Sequence, residues 1–238
     1  MPTTRKPGRP IDLDLQERRR AAILGAAAKL FADKGYADAD TQDLADGLEL
    51  SKGTIFRYFP TKRELFAASI ARALEKLGQQ VDAAADAATD PLDKLLAAMT
   101  AYLRYFDEHP EVVELLILER AEFKDRKSSY FDRCDKSDET DERWNGVLGA
   151  LMADGRFREL PFDRVRNVVG DLLYGTIFSN HMSGRTRTLE EQAGALFDIV
   201  FRGLLTDAYR HRENIVRPAP HDAVDSSNRQ AEPRQGKD

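Results

Sequence analysis

The sequence has few of the residues that build disulfide-bonded, metal-bound or membrane-spanning structures. Among its 238 residues, Cys134 is the only cysteine, which excludes an internal disulfide and a thiolate zinc cluster. The four histidines, at positions 109, 181, 211 and 221, have no spacing typical of metal ligands. The longest purely aliphatic run, residues 115–118, is far shorter than the roughly 20 residues that cross a bilayer. The N-terminus lacks the apolar core of a secretion signal. We therefore expect a cytoplasmic protein without metal or cofactor.

The sequence also lacks the short motifs that indicate common enzyme classes. It has no nucleophile elbow, phosphate-binding loop or dinucleotide fingerprint. Acidic residues are abundant, but they are scattered over helical faces rather than grouped. We therefore expect no enzymatic activity.

Charge is distributed unevenly over the N-terminal quarter of the chain. The net charge of −5 argues against indiscriminate coating of nucleic acid. Residues 36–49 carry five acidic residues and no basic one, whereas residues 50–63 carry four basic residues and no acidic one. This change of sign between neighbouring segments indicates that only the second one contacts a polyanion.

Apolar residues recur at helical spacing along nearly the whole chain, and no segment shows the alternation or hairpin turns of a strand. We predict an all-α protein of about nine helices. Residues 1–17 are expected to be a flexible basic arm and residues 18–66 a DNA-binding domain. Residues 67–210 are expected to form an effector-binding and dimerisation domain, and 211–238 a disordered tail.

Residues 41–59 predict two short helices joined by a tight turn. Asp40 caps the first helix and Ser51 the second, while Ile55 and Phe59 point inward. The small Ala45 lets the two helices cross closely. This arrangement is a helix-turn-helix, whose second helix fits the major groove of DNA. The alternative is that residues 41–59 form part of a helical core with a solvated charged face.

The outward face of the second helix offers chemistry suited to base edges. Arg57 can pair with guanine O6 and N7, Phe56 can contact thymine methyls, and Gly53 permits close approach. After Pro60, Thr61 caps a further helix and places a cation beside its amide groups, where a phosphate would bind. The candidate DNA-binding residues are Ser51, Lys52, Gly53, Thr54, Phe56, Arg57, Tyr58 and Lys62.

Residues 18–66 resemble the TetR family of bacterial repressors. The most specific match is the run Ser51-Lys-Gly-Thr-Ile-Phe-Arg-Tyr-Phe-Pro60, supported by Leu30-Phe31 and Gly35-Tyr36. The resemblance implies that residues 52–54, 56 and 57 read bases, and that Tyr58 and Lys62 bind phosphates. It also implies a homodimer on an inverted-repeat operator, released by a small molecule.

Four positions depart from the family pattern. Glu49 replaces the usual turn glycine, which costs about 1 kcal/mol if this residue is left-handed. Phe56 replaces a residue with an aromatic hydroxyl, so its contact would be apolar. Ala39 and Asp40 stand where the family often has threonines, which argues against a phosphate contact there.

The segment Arg5-Lys-Pro-Gly-Arg-Pro10 has two interpretations. It resembles an AT-hook core, in which Arg5, Lys6 and Arg9 would lie in a narrow minor groove. The alternative is a disordered basic tail. Either one adds salt-dependent affinity for DNA.

The sequence of the C-terminal half gives weaker signals for dimerisation and for effector binding. Wide apolar stripes near 161–183 and 189–209 indicate a four-helix dimer interface, unless both stripes pack within the subunit. An unknown small apolar effector is expected. The candidate pocket residues are Tyr102, Phe106, Trp144, Tyr174 and Phe178. The alternative is a DNA-binding or architectural regulator without an effector, and a cavity in this domain would distinguish the two.

Overall fold

The structure, a computed structural model, describes residues 13–123, 138–184 and 188–210. Within these ranges the chain forms ten helices and no strand, so the prediction of an all-α protein is confirmed. The helices are α1 Leu13–Asp38, α2 Thr41–Gly47, α3 Lys52–Tyr58, α4 Lys62–Asp86, α5 Pro91–Glu108, α6 Pro110–Glu122, α7 Asp138–Ala153, α8 Phe162–Ser183, α9 Leu189–Leu204 and α10 Asp207–Arg210.

Helix α1 begins earlier than the sequence suggested. It starts at Leu13, inside the segment expected to be an arm, and Arg18 pairs with Asp14 one turn away. Such pairs stabilise an exposed helical turn. The helix is broken at Gly35, whose φ of 76° is a left-handed conformation that glycine adopts without steric cost. After this break the helix continues for about one further turn, to Asp38.

Four helices start at a capping side chain, and the three caps predicted from the sequence, Asp40, Ser51 and Thr61, are confirmed. Each side chain accepts a hydrogen bond from a backbone N–H of the first turn, which satisfies a donor that the helix leaves unpaired. The caps are Asp40 of α2, Ser51 of α3, Thr61 of α4 and Asp90 of α5.

The last long helix is shorter than predicted. The expected helix from Leu189 to about Tyr209 ends at Leu204, and α10 resumes after a gap. Leu205 forms an isolated antiparallel bridge with Phe157. The backbone N–H of Thr206 donates to Arg156 O (3.0 Å). These contacts draw the chain out of the helix and attach it to the α7–α8 connection.

One apolar core runs through the described residues, from Ile23 in α1 to Leu205 after α9. Helix α1 packs against α4 and α6, and α5 packs against α4, α7 and α9. Helix α4 therefore starts beside α3 and ends among the C-terminal helices as one continuous element.

Arg5, Lys6 and Arg9 of the predicted arm lie outside the described residues, as do residues 211–238 of the predicted tail. No helix in the described part of the chain is both long and apolar enough to span a bilayer.

Candidate nucleic-acid interface and ligand cleft

Helices α2 and α3 cross through a small buried contact. Ala45 and Ile55 are completely buried, and Leu44 and Phe59 nearly so. The alanine has no side chain beyond Cβ, so the two helices approach closely at this position. The inward residues match those expected from the sequence.

The turn between α2 and α3 includes a left-handed residue. Glu49 has a φ of 54°, the only positive φ among the described non-glycine residues. Its backbone N–H donates to Asp46 O (3.1 Å), and that of Leu50 donates to Ala45 O (2.8 Å). These bonds hold Glu49 in a conformation that costs about 1 kcal/mol for a residue with a Cβ.

Helix α3 presents the predicted base-reading residues on its outer side. Phe56 and Arg57 are exposed, and the Arg57 guanidinium lies 5.7 Å from the centroid of the Tyr58 ring. A Cβ added to Gly53 would meet nothing closer than 3.8 Å, so the surface there is open. The Ser51 side chain accepts from Thr54 N (3.1 Å), and the two hydroxyl oxygens are 2.9 Å apart. The first turn of α3 is thus fixed before any DNA binds.

Lys52 is held by an acidic residue that the sequence did not connect with it. Its Nζ lies 3.0 Å from Asp40 Oδ1, so the N-cap of α2 also pairs with the first residue of α3. A hydrogen bond from the Gln42 backbone, together with the bond from Lys52, lowers the pKa of Asp40 below its usual value. Asp40 is thus a carboxylate at neutral pH, beside the surface expected to face DNA.

Lys62 has a structural contact in addition to its expected role at phosphate. Its Nζ donates to Ala37 O (2.9 Å) and lies 5.1 Å from the centroid of the Tyr36 ring. The contact ties the start of α4 to the end of α1. An ammonium group has three donors, so Lys62 retains hydrogen-bonding capacity for a phosphate.

Two further basic residues beside α2 and α3 were not among the predicted ones. Lys34 Nζ lies 2.6 Å from Asp43 Oδ2, and this hydrogen bond raises the pKa of Lys34. Arg20 lies over the Phe59 ring, 5.4 Å from its centroid. Both contacts join residues far apart in the chain, and helical periodicity gives no signal for them.

An aromatic cluster connects α1 and α4 to the end of α6. Phe123 packs on Tyr36 and Phe66 at ring-centroid distances of 5.2 and 5.7 Å. The Arg63 guanidinium lies 4.8 Å from the centroid of the Phe123 ring. The end of α6 thus contacts both α1 and the base of α4.

A cleft of about 190 Å³ lies among α4, α5, α7, α8 and α9. Its walls are apolar except for three side chains with polar ends, Tyr102, Trp144 and Arg166. The other lining residues are Val81, Leu95, Ala98, Met99, Leu148, Val165, Val169, Gly170, Leu173, Val200, Phe201 and Leu204.

Two of the five predicted pocket residues line this cleft, and three do not. Tyr102 and Trp144 form part of the wall. Phe106 is instead buried in the core, edge-on to Tyr102 at 5.3 Å. The rings of Tyr174 and Phe178 contact each other, tilted, with their centroids 4.2 Å apart, and neither residue lines the cleft. Aromatic content alone could not separate a cleft wall from a packed core.

The apolar stripe predicted on α9 packs within the subunit. Phe197, Val200 and Phe201 are all buried in the core. These three residues are therefore covered within the subunit, while Leu196 and Leu204 of the same stripe are partly exposed. The outer side of α9 instead exposes Ile199, at 73 %.

Helix α8 has an exposed face of apolar and small residues. They recur at steps of four, three, four and three, the spacing of a helix–helix seam. They are Val168, Leu172, Gly175, Ser179 and Met182.

In the described residues, no group of three or more histidine, cysteine or acidic side chains could hold a metal ion.

The sequence is similar to a family model of bacterial regulatory proteins and to several transcription regulators. The sequence model of "Bacterial regulatory proteins, tetR family" matches residues 23–69, which include α2, α3 and the start of α4. The transcriptional activator FasR of Mycolicibacterium smegmatis is 30 % identical over 101 residues, 42 % of this chain and 46 % of FasR. The chain thus spans less than half the length of that relative.

Two other matches extend over most of both chains. The transcriptional repressor KstR2 of M. smegmatis is 26 % identical over 160 residues, 67 % of this chain and 78 % of KstR2. Among solved structures, the TetR family transcriptional regulator PfmR from Thermus thermophilus is 30 % identical in sequence to this chain. The match covers 76 % of this chain and 97 % of PfmR, with a TM-score of 0.61.

Proposed function

Because the chain belongs to the TetR family of bacterial regulatory proteins, we propose that it is a transcription repressor released from DNA by a small molecule. Residues 18–66 read the operator, and residues 67–210 dimerise and bind the effector. The relatives compared above are all named as transcription regulators rather than enzymes.

The observation that carries this proposal is the outer face of α3. Phe56 and Arg57 are exposed there, Lys52 and Thr54 are partly exposed, and the Ser51 cap orders the first turn of the helix. Arg57 and Lys52 suit guanine, Phe56 suits a thymine methyl, and the Thr54 hydroxyl suits either donors or acceptors.

Phosphate contacts flank this surface. Ser51, Tyr58 and Lys62 lie at the two ends of α3 and at the start of α4, where they would fix the register on DNA. Gly53 allows the backbone of α3 to approach the groove. Arg5, Lys6 and Arg9 would add minor-groove contacts or general electrostatic affinity.

A homodimer follows from the shortness of α3, which has seven residues and reads too few base pairs alone. The seam of α8 provides the surface for it. Gly175 and Ser179 allow two copies of α8 to approach closely, and Val168, Leu172 and Met182 would be buried on contact. Ile199 of α9 is a further exposed apolar residue.

The apolar cleft is the proposed effector site. Val81 lines it, and Lys62 stands nineteen residues earlier on the same helix, a distance of about 29 Å. A ligand that moves the cleft end of α4 would shift its other end at the DNA. To weaken DNA binding a hundredfold, the ligand must bind the conformation that does not bind DNA about 2.7 kcal/mol more favourably than the one that does.

The proposal can be tested by selecting bound fragments from random and genomic DNA and footprinting the best one. We expect a two-fold symmetric site protected by a dimer, with protection by Arg57→Ala requiring a higher protein concentration. Protection of a single asymmetric half-site by a monomer would contradict the proposal.

The second candidate is a regulator that binds DNA without an effector. The cleft favours the effector-responsive function, because ligand sites are concave and mostly apolar with a few polar groups. A panel of lipophilic drugs, fatty acyl compounds and aromatic metabolites distinguishes the two in an operator-release assay. Release by none of them would favour the second candidate.

A further inference from the structure

Arg166 is the only charged residue among those that line the apolar cleft in the described part of the chain. It lies on α8 between Val165 and Val169, which line the same wall. A long side chain of this kind keeps its aliphatic stem against apolar surface while its charged end reaches the rim. An apolar cleft with one cation selects for a ligand with an apolar body and one anionic end.

The volume of the cleft limits the size of that ligand. A cavity of about 150 Å³ holds one benzene molecule, so the 190 Å³ present here accommodates on the order of ten non-hydrogen atoms. Tyr102 and Trp144 offer the other two polar ends, both of them neutral. The composition of the wall therefore suits a single hydrocarbon chain or small ring system.

We propose that Arg166 binds the carboxylate of an amphipathic monoacid whose hydrocarbon part fills the cleft. This inference rests on the proposed function, because it assigns the chemical class of the effector at the same site. The guanidinium fork pairs with both oxygens of a carboxylate, a geometry that a neutral ligand cannot match.

One ion pair of Arg166 is with Asp163, and a ligand carboxylate would compete with it. The Arg166 Nη2 lies 3.1 Å from Asp163 Oδ1, but the Asp163 side chain is 81 % exposed. Exposed pairs of this kind contribute little, because water and salt screen them. A ligand carboxylate at the sheltered rim of the cleft would compete with Asp163 on favourable terms.

The matched probes are octanoate and octanamide, which have the same chain length and ten non-hydrogen atoms each. At pH 7 octanoate carries a full negative charge, whereas the amide is neutral. Trp144 is the only tryptophan of the chain and lines the cleft, so its fluorescence reports on occupancy. Titration of the full-length protein, with calorimetry as a second readout, gives both affinities.

We expect octanoate to bind about tenfold more tightly than octanamide. Arg166→Met should remove this difference by weakening octanoate alone. Arg164→Met is the matched control, since Arg164 lies on the same helix but is exposed and does not line the cleft. It should leave both affinities unchanged. Asp163→Asn removes the competing carboxylate and should leave octanoate binding equal or tighter.

Equal affinity for the two probes in the wild-type protein would overturn this inference, as would a preference for octanoate that survives Arg166→Met. Failure of both probes to bind would overturn it as well, while the proposed repressor function would still be judged by footprinting and the wider ligand panel. Arg166-dependent binding that releases no operator would uphold the ligand class and contradict the effector function.

Discussion

Lys52 and Asp40 form an ion pair that joins the first residue of α3 to the N-cap of α2, with Nζ 3.0 Å from Oδ1. The pair lies on the surface proposed to contact DNA, so a phosphate or base would compete with Asp40 for the lysine. The carboxylate would also repel nearby phosphates. The pair thus lowers general affinity for DNA and makes binding depend more on the remaining contacts.

Replacement of Asp40 by serine should therefore tighten binding to random DNA. Serine keeps the ability to cap α2, so the fold is preserved while the negative charge is lost. We expect a gain of about two- to fivefold, measured by fluorescence anisotropy at several salt concentrations. Asp33→Ser, at an exposed acidic residue of α1, is the control. An equal gain in both variants would show that only net charge matters.

Arg57 and Lys62 should differ in what their loss does to DNA binding. Arg57→Ala should cost about 1–3 kcal/mol on the operator and less on random DNA, because it removes a base contact. Lys62→Ala should weaken both DNAs similarly and flatten the salt dependence. Competition titrations on both DNAs measure this; equal losses for Arg57→Ala would contradict base reading.

Lys62→Ala should also destabilise the protein slightly, because it removes the hydrogen bond to Ala37 O. The expected cost is about 1 kcal/mol, seen as a lower melting temperature without DNA. Arg57→Ala serves as the comparison, since the Arg57 side chain is exposed and its guanidinium lies beside the Tyr58 ring. An unchanged melting temperature in Lys62→Ala would mean that this bond adds nothing in solution.

Leu172→Glu should convert the dimer to a monomer without unfolding it. Leu172 is 40 % exposed on the α8 seam, and a buried pair of like charges across a two-fold axis is strongly unfavourable. Sedimentation or light scattering measures the mass, and circular dichroism the fold. Leu15→Glu is the control, because Leu15 is 51 % exposed on α1. A dimer that persists in Leu172→Glu would exclude α8 as the interface.

Arg156 should stabilise the protein in a pH-dependent way. Its Nη1 donates to both carboxylate oxygens of Asp90 (2.8 and 2.7 Å), and Nη2 reaches Asp154 (2.7 Å). Burial alone would raise the pKa of Asp90, but the bonds from Arg156 and from the α5 backbone outweigh it and lower the pKa. A lowered folded-state pKa stabilises the fold above the unfolded value of about 3.9, and this stabilisation is lost as the pH falls below it.

Arg156→Met should therefore lower the free energy of unfolding at pH 7 by about 1–2 kcal/mol. The loss is limited because the Asp90 side chain is 40 % exposed, so water screens its attraction to Arg156. The difference from wild type should shrink as the pH falls below about 4. Urea unfolding at several pH values provides the measurement, with Arg164→Met as the control. A difference that is constant over this range would argue against the carboxylate contacts as its cause.

Sequence periodicity was sufficient for the helices and their caps because both depend on residues close in the chain. Ser51 and Thr61 cap helices within three residues of themselves. The same locality explains why the inward residues of α2 and α3 could be named. Glu49 was identified as a left-handed candidate from the family resemblance, because the family usually has glycine at this position of the turn.

Contacts between distant segments could not be predicted in this way. The pairs Lys52–Asp40 and Lys62–Ala37 depend on how α1, α2 and α4 cross. Tyr174 and Phe178 are aromatic residues of the kind that line pockets. They do not line the cleft, because the rotation of α8 turns them away from it. The outward residue of α9, Ile199, lies off the widest apolar stripe, because that stripe packs within the subunit.

Gly170 offers a way to close the cleft without disturbing the fold. It lines the cleft together with Val165, Arg166, Val169 and Leu173, the face of α8 opposite to the proposed dimer seam. A Cβ added at Gly170 meets nothing within 4 Å, so a larger side chain has room to extend. Replacing a helical glycine also favours the helix by about 0.5–1 kcal/mol.

Gly170→Phe should thus fold and bind the operator like the wild type while losing its response to the effector. The phenyl ring would occupy much of the 190 Å³ that the ligand needs, so the affinity for octanoate should fall by more than about tenfold. Gly170→Ala fills little of the space and should respond normally. Trp144 fluorescence and operator release measure the two properties separately. Unaltered octanoate affinity in Gly170→Phe would place the ligand outside this cleft, since a ring at this position leaves no room for both.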